Sequence, residues 1–308
     1  MAKILILTDG KAGHENQSKA FARALGCGFE LRDIRFRSKF AKAMSYLLDH
    51  LGILTDKLLD CEVDPEERER FLGVIGTGSG TFYAAKVFAH KMGVKCGVVL
   101  YPRGYRLSTF DCILAPAFDR PARRANVIEI PANLVAADPA FYADGVKAFK
   151  TRYDGATDRA VAVIVGGPNA CSTMSVEWMK KALDRVFAEN KGAQFWVTTS
   201  RRTPPEIESV VDSYPWNYRL IYSRERFNPI PAFVALAKRL YVTAESTGML
   251  SEACTSGTAE VFALDNLVQG KHKFRRFVEG LSQKGYLNGS RKVDLSGVIS
   301  VAKRRMGV

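Results

Sequence analysis

Short runs of apolar residues alternate with stretches of helical periodicity along most of the chain. The apolar runs are typical of buried strands and lie at residues 4–7, 72–75, 94–100, 112–115, 127–130, 160–165, 194–198, 219–222 and 240–243. Helical patterns lie at residues 15–25, 82–92, 175–190, 205–213 and 231–239. This alternation indicates α/β layers with mainly parallel sheets, in which binding sites lie at the carboxyl ends of the strands.

The alternation starts again after a polar stretch at residues 150–159, KTRYDGATDR. We therefore expect an N-terminal domain at residues 1–154 and a C-terminal domain at residues 155–308. Each is expected to be Rossmann-like, and the two are expected to face a central cleft. The last helix could pack back on the N-terminal domain.

One segment departs from this alternation. Residues 36–59 carry apolar side chains mostly three or four apart, and four basic residues crowd its start. The pattern predicts an amphipathic helix with a break at Gly52. The favoured interpretation is a surface helix packed on the N-terminal sheet, and the alternative is a basic helix lying in a membrane interface.

The composition is ordinary for a soluble globular protein, with 308 residues, 47% of them hydrophobic and 25% charged. No apolar run approaches the length of a membrane span, and the first residues are interpreted as a buried strand and not a signal peptide. The six cysteines are scattered without a CxxC pair, which favours reduced thiols in a cytoplasmic protein.

The net charge of +13 suits an anionic small substrate, an anionic membrane surface or nucleic acid, but equally a solvated surface with no partner. Basic residues are not interleaved with aromatic residues along a stripe, as they are in many nucleic-acid-binding proteins. We therefore expect no nucleic-acid partner.

The loop after the first strand, DGKAGHENQS at residues 9–18, is the first candidate site. Gly10 and Gly13 allow a tight turn and close approach of the backbone to a ligand. His14 should lie at the cleft rim, where it could act as a base, orient a substrate or donate to a phosphate, although a lone histidine is often structural. Asn16 and Gln17 could cap the helix or bind a ligand.

Two further glycine-rich turns follow strands. The turn GTGSGT at residues 76–81 contains Gly76, Gly78 and Ser79, whose backbone N–H groups could form an anion nest. A tight turn without a ligand is the slightly favoured alternative. The turn GGPN contains Gly167, and its glycine pair permits close contact across the interdomain cleft.

Two basic segments suit an anion. Ser200, Arg201 and Arg202 follow a strand and precede two prolines, and arginines placed there can bind phosphate through fork-like hydrogen bonds. Lys273, in the segment KHKFRRF, could face the same anion. A solvated arginine pair is the simpler alternative for the first segment.

The segment YVTAESTGMLSEACTSGT at residues 241–258 is the most informative part of the chain. Ser246, Thr247, Gly248 and Met249 stand at the start of a helix-like stretch, where free N–H groups attract phosphate. Glu252, one turn further on, can reach the hydroxyls of a ribose. The segment predicts a site for a nucleotide diphosphate. No zinc-ligand spacing is present, and no metal site is expected.

Several motifs, taken in order, resemble a family that is named for a plant mitochondrial fission factor. They are ILILTDGKAGHENQSKAFARALG, GGP, VTTSRRTP, NPIPAF, VTAESTGMLSEACTSG and GKHKFRRF. That family is similar in turn to GT-B glycosyltransferases, especially those of the MurG type. The resemblance implies a C-terminal domain that holds a nucleotide-sugar, and Thr247, Gly248 and Glu252 match that pattern. Ala12-Gly13-His14 is close to the Gly-Gly-His of their N-terminal loop.

The motifs and the resemblance together lead us to expect a GT-B-like, metal-independent glycosyltransferase. A nucleotide-sugar would be its co-substrate, with no other cofactor, and His14 would be the candidate base. The basic surface suggests a lipid-linked or cell-envelope acceptor, and therefore a cytoplasmic protein that is peripheral on the inner membrane. The alternative is a non-catalytic adaptor that recruits a protein partner at a membrane, as the plant member of the family does.

Overall fold

The computed structural model of the chain describes residues 3–135 and 139–308. Its strands are β1 (Lys3–Thr8), β2 (Gly28–Asp33), β3 (Phe71–Thr77), β4 (Lys95–Val99), β5 (Cys112–Pro116), β6 (Val127–Ile130), β7 (Ala160–Ile164), β8 (Gln194–Thr198), β9 (Tyr218–Leu220), β10 (Arg239–Thr243) and β11 (Glu260–Leu264). Its α-helices are α1 (Ala12–Leu25), α2 (Lys39–Leu51), α3 (Phe82–Met92), α4 (Pro139–Lys150), α5 (Val176–Glu189), α6 (Pro205–Asp212), α7 (Ile230–Leu236), α8 (Thr247–Thr255), α9 (Lys273–Gln283) and α10 (Ser296–Met306).

The chain divides into two compact units, each built on one parallel sheet. The N-terminal unit comprises Met1–Ala136 and Asp294–Val308, and the C-terminal unit comprises Ala137–Val293. The N-terminal sheet has the order β2-β1-β3-β4-β5-β6, so its switch point lies between β1 and β3. The C-terminal sheet has the order β11-β10-β7-β8-β9, and its switch point lies between β7 and β10.

Both faces of the N-terminal sheet are buried, as the continuous apolar run of β1 requires. Ile4 and Ile6 pack into one cluster with residues of α1 and α10, whereas Leu5 and Leu7 pack into the other with residues of α3. Helix α10 contributes Ala302 to the first cluster. The C-terminal end of the chain therefore completes the core of the N-terminal unit.

Helix α4 belongs to the C-terminal unit, and this sets the division between the units. Its Phe149 is fully buried and lies 5.0 Å from the ring of Trp196, 4.7 Å from Tyr218 and 5.8 Å from Phe233, measured between centroids. The units divide before this helix, and not at residues 150–159, because its apolar face completes the core around β8.

Helix α2 differs from the expected surface helix in the face that it buries. It ends at Gly52, which adopts the left-handed conformation at the expected break. The expectation was an apolar face packed on the sheet, but the buried positions are Ala41, Ser45 and Asp49. The reversal follows from partners distant in sequence: Ser45 Oγ lies 2.9 Å from Tyr105 Oη, and Asp49 forms a buried ion pair.

Candidate functional site

Two loops meet at the carboxyl edge of the N-terminal sheet, because β1 and β3 are neighbours at its switch point. His14, in the first turn of α1, lies against Gly78, which has a positive φ of 82°. A Cβ atom on Gly78 would stand 2.7 Å from His14 Nδ1, and one on Gly80 would stand 2.8 Å from Asp9 Oδ2. The two glycines therefore make room for the side chains of Asp9 and His14.

The carboxylate of Asp9 lies against Nδ1 of His14. Both carboxylate oxygens lie 3.1 Å from His14 Nδ1, and Lys11 Nζ donates to Oδ2 at 2.7 Å. Burial acts to raise the pKa of Asp9, but the hydrogen bonds and charges of Lys11 and His14 outweigh it and lower the pKa. When the imidazole carries one proton and Nδ1 donates it to the carboxylate, Nε2 is left as a proton acceptor.

The other expected residues of this segment lie in the loop before α1 and in the first two turns of the helix. Gly10 has a φ of 77° and turns the chain from β1 into α1. Gly13 is exposed, and nothing lies within 4 Å of an added Cβ. Asn16 is exposed and, two residues after His14, lies on another side of the helix. Gln17 Nε2 donates to the Gly13 carbonyl at 3.3 Å.

The β3–α3 loop lies at this edge of the sheet and contacts α2. Gly76 is buried at the end of β3, where an added Cβ would stand 2.7 Å from Thr81 Oγ1. Ser79 is exposed, and its Oγ accepts a hydrogen bond from Lys42 Nζ at 3.1 Å. The β3–α3 loop, against which His14 lies, is therefore beside the first turn of α2.

Three loops converge at the switch point of the C-terminal sheet. Gly166 N, after β7, donates to Thr243 Oγ1, at the end of β10, at 2.8 Å. Thr203 Oγ1, from the loop after β8, donates to the Gly166 carbonyl at 2.6 Å. A Cβ on Gly167 would overlap the backbone carbonyl of Arg202. Glycine at residue 167 is thus required by the packing of these loops.

A buried carboxylate, Glu245, holds the ends of the strands together. Its Oε1 accepts from Thr243 Oγ1 at 3.0 Å, and its Oε2 accepts from Asn266 Nδ2 at 2.7 Å. Its carbonyl accepts from Asn169 Nδ2 at 3.5 Å. A Cβ on Gly166 would overlap Glu245 Oε1, so the first glycine of the turn makes space for this carboxylate.

Helix α8 begins directly after this network. Ser246 is its N-cap residue, and the Ser246 side chain makes no capping hydrogen bond. Gly248 is exposed, with no atom within 4 Å of an added Cβ. Thr247 and Met249, beside it, are half-buried. The start of the helix is therefore open at Gly248, as a site for an anion requires.

Glu252 faces a tyrosine of α4. Tyr142 Oη donates to Glu252 Oε1 at 3.3 Å, and it lies 2.9 Å from Ser256 Oγ. Burial raises the pKa of Glu252, and the hydrogen bond from Tyr142 opposes this shift without cancelling it. Burial therefore favours the protonated form of Glu252, whereas the Tyr142 hydroxyl favours the ionised form.

The expected basic residues lie on loops of the C-terminal unit. Arg201 and Arg202 are exposed after β8, and Ser200 Oγ accepts from Arg202 N at 3.3 Å. Lys273 is exposed at the first position of α9, with Nζ 5.2 Å from the ring centroid of Phe274. The sites expected at His14 and at Glu252 belong to different units.

Sequence reasoning included Asp9 and Glu245 in its candidate segments, at residues 9–18 and 241–258, but gave neither side chain a role. It missed Tyr142 altogether. No local signal marks Tyr142, because its partner Glu252 is distant in the chain and only the packing of α4 brings the two together.

The family of mitochondrial fission ELM1 proteins matches residues 12–294 of this chain. The chain belongs to this family. A curated relative, the uncharacterized protein RP120 of Rickettsia prowazekii (strain Madrid E), is 30% identical over 131 residues. That match covers 40% of this chain and 36% of the relative, about a third of the relative's length.

Solved structures of other proteins are similar in fold to this chain. UDP-GlcNAc 2-epimerase from Neisseria meningitidis, bound to UDP-GlcNAc, superposes with a TM-score of 0.52 at 11% identity, over 99% of this chain and 98% of the epimerase. MurG from Acinetobacter baumannii gives a TM-score of 0.49 at 10% identity, over 99% and 95% of the two chains. The likeness to the epimerase shows the fold alone. The expected α/β class with two Rossmann-like, GT-B-like units is confirmed.

Proposed function

We propose that this protein is a metal-independent glycosyltransferase that takes a sugar from a nucleotide-sugar. The observation that most supports this is the convergence of the loops after β7, β8 and β10 beside the open start of α8. Ligands of open α/β sheets bind at such switch points, outside the carboxyl ends of the strands.

The donor would bind to the C-terminal unit through its diphosphate and its ribose. The N–H groups at Gly248 and Met249 and the guanidinium groups of Arg201 and Arg202 would receive the diphosphate. Glu252 would accept hydrogen bonds from the ribose hydroxyls. The Lys273 ammonium group would also contact the diphosphate. Charge that develops on the departing diphosphate would then be stabilised by fixed dipoles and arginines.

The acceptor would bind to the N-terminal unit, at Gly10–His14 and the turn that contains Gly78. His14 Nε2 would take the proton of an acceptor hydroxyl while that oxygen forms a bond to the anomeric carbon. The bond between the anomeric carbon and the diphosphate oxygen breaks, and the nucleoside diphosphate leaves with the electron pair. Asp9 would stabilise the imidazolium that forms on His14.

The acceptor in this proposal is lipid-linked or belongs to the cell envelope, and the protein is cytoplasmic and peripheral on a membrane. The net charge of +13 favours an anionic surface as a partner. Among residues 3–135 and 139–308, no helix combines the length and the apolar character needed to cross a bilayer.

Thermal unfolding with UDP-, GDP-, ADP- and CMP-sugars and the free nucleotides tests the donor site. A ligand at a hundred times its Kd should add about 2.7 kcal/mol, which raises the melting temperature by about 5–10 °C. Glu252→Ala should abolish the shift, and Glu279→Ala, an exposed glutamate of α9, should retain it. UDP-GlcNAc is the first ligand to try, because the epimerase that shares the fold binds it.

A response to none of these ligands would favour the second candidate, a non-catalytic adaptor. Its support is the family's description and a cluster of exposed apolar side chains on and just after α2. Under this alternative, Glu252→Ala would leave partner binding unchanged in a pull-down with a defined protein partner.

A further inference from the structure

Helix α2 presents its apolar residues outward. Phe40, Leu47 and Leu51 are 73%, 53% and 63% exposed, and Ile53, just beyond the helix, is 48% exposed. On a helix of 3.6 residues per turn, residues 40, 47 and 51 fall on one face. Four of the large apolar side chains that are exposed on this chain thus lie within one short segment.

The outward orientation is fixed by the opposite face of the helix. Lys86 Nζ, from α3, donates to Asp49 Oδ1 at 2.6 Å, and neither side chain is exposed by more than 1%. Ser45 Oγ lies 2.9 Å from Tyr105 Oη, and Tyr46 stacks on the ring of Tyr105 at 4.3 Å between centroids. A rotation that buried Phe40 would have to break this buried ion pair.

The surroundings of this face are basic. Arg35, Arg37, Lys39 and Lys42 precede or begin α2, and the first three are exposed. Asp49 is the only acidic residue between residues 34 and 55, all of which the structure describes, and it is buried. An apolar stripe with a basic margin matches the acyl chains and anionic headgroups of a membrane surface.

We propose that the outer face of α2, formed by Phe40, Leu47 and Leu51, docks on the surface of an anionic lipid bilayer together with Ile53, which lies just beyond the helix. These apolar side chains enter the region below the headgroups, and Lys39 and the arginines contact the lipid phosphates. A second copy of this chain fits less well, because a two-fold contact would set the same basic residues against each other.

This surface begins beside the proposed acceptor site. Lys42 Nζ, in the first turn of α2, donates to Ser79 Oγ in the turn that contains Gly78, against which His14 lies. A membrane docked on α2 would therefore present the headgroup of an amphiphilic acceptor near His14. This assignment of the acceptor class rests on the proposed function, whereas the docking itself does not.

Flotation with vesicles tests the docking. The wild-type protein should float with vesicles of equimolar phosphatidylcholine and phosphatidylglycerol and not with phosphatidylcholine alone. Phe40→Ser/Leu47→Ser/Leu51→Ser should weaken partitioning about a thousandfold, since burial of each of the three side chains contributes about tenfold. Lys39→Gln should weaken it about fivefold.

The control variant is Leu31→Ser/Leu72→Ser, which removes exposed apolar side chains of the same unit outside α2. It should float as the wild-type protein does, and circular dichroism should show all variants folded. Equal binding to both kinds of vesicle, no binding, or flotation of the triple variant would overturn the proposal. A wild-type dimer that the triple variant disperses, without flotation, would assign the face to a second copy instead.

The two proposals can fail separately. Glu252→Ala should still float, and the triple α2 variant should keep any rise in melting temperature caused by a nucleotide-sugar. Flotation without a response to any nucleotide would leave the docking in place and refute the transferase. A rise in melting temperature with a nucleotide, without flotation, would refute the docking and leave the transferase proposal in place.

Discussion

Replacing Lys86 with methionine should lower the unfolding free energy of the N-terminal unit by about 3–5 kcal/mol. Lys86 and Asp49 form an ion pair of 2.6 Å in which the side chains are 0% and 1% exposed. Methionine has a similar volume but leaves the Asp49 carboxylate buried without a counter-ion. Removing one partner of a fully buried pair has a cost of this size, because the remaining charge stays away from water.

A second substitution, Asp49→Asn, should restore part of this loss. Burial lowers the pKa of Lys86 although Asp49 acts to raise it. The attraction within a buried ion pair often does not recover the full cost of taking both charges out of water. An asparagine carries no charge, and its oxygen can still accept the hydrogen bond that Arg106 N donates to Asp49 Oδ2 at 2.6 Å. We expect Lys86→Met/Asp49→Asn to be about 2 kcal/mol more stable than Lys86→Met.

Urea unfolding followed by far-UV circular dichroism measures these differences. The three tryptophans, Trp178, Trp196 and Trp216, all lie in the C-terminal unit, so their fluorescence reports that unit separately. Lys95→Met is the control, because its ion pair with Asp111 is 50% and 32% exposed and such pairs contribute below about 1 kcal/mol.

Two results would refute the reasoning. One is a Lys86→Met protein within about 1 kcal/mol of the wild type, and the other is a double variant less stable than that single variant. The deficit of Lys86→Met should also shrink as the pH falls, because protonation removes the uncompensated carboxylate charge and the folded state then gains protons relative to the unfolded chain. A deficit that grows in acid would contradict a buried carboxylate as its cause.

Two further predictions concern the proposed sites. Asp9→Asn should lower kcat about a hundredfold, because the imidazolium of His14 loses its carboxylate partner. The rise in melting temperature with a nucleotide-sugar should stay the same. An unchanged kcat would remove Asp9 from the mechanism. Tyr142→Phe should weaken nucleoside diphosphate binding about fivefold by calorimetry, through the loss of one hydrogen bond to Glu252. The weakening should be larger in acid, because losing that bond raises the pKa of Glu252 further, and an effect independent of pH would contradict this role.

The local pattern was sufficient for most strands but not for all. Apolar runs identified β1, β3 and β7, each buried on both faces. The edge strand β2, GFELRD, was not predicted, because it lies at the sheet's margin and ion pairs hold its polar side chains. Glu30 pairs with Lys3 and Arg70, and Arg32 pairs with Glu67. Such contacts join residues distant in sequence, which periodicity does not report.

The same limit applies to α2 and to the sites. The spacing of apolar residues predicted a helix over residues 36–59 with a break at Gly52, whereas the α-helix covers only Lys39–Leu51. The direction of its apolar face depends on Lys86 and Tyr105 in other elements. Glycines after strands marked the loops at both switch points, since that rule is local. The contact between Tyr142 and Glu252 joins α4 to α8, and it could be found only from the folded chain.

Because α2 is attached through Ser45 and Asp49, its outer residues are free to change without disturbing the core. Mutations at Phe40, Leu47 or Leu51 can then change the strength of surface attachment step by step, while the fold keeps its stability. Homologous chains could thus diverge between membrane-bound and freely diffusing forms on one scaffold. For the laboratory, the same separation means that serine at these three positions should yield a better-behaved sample for crystallisation, with the sites at His14 and Glu252 unaltered.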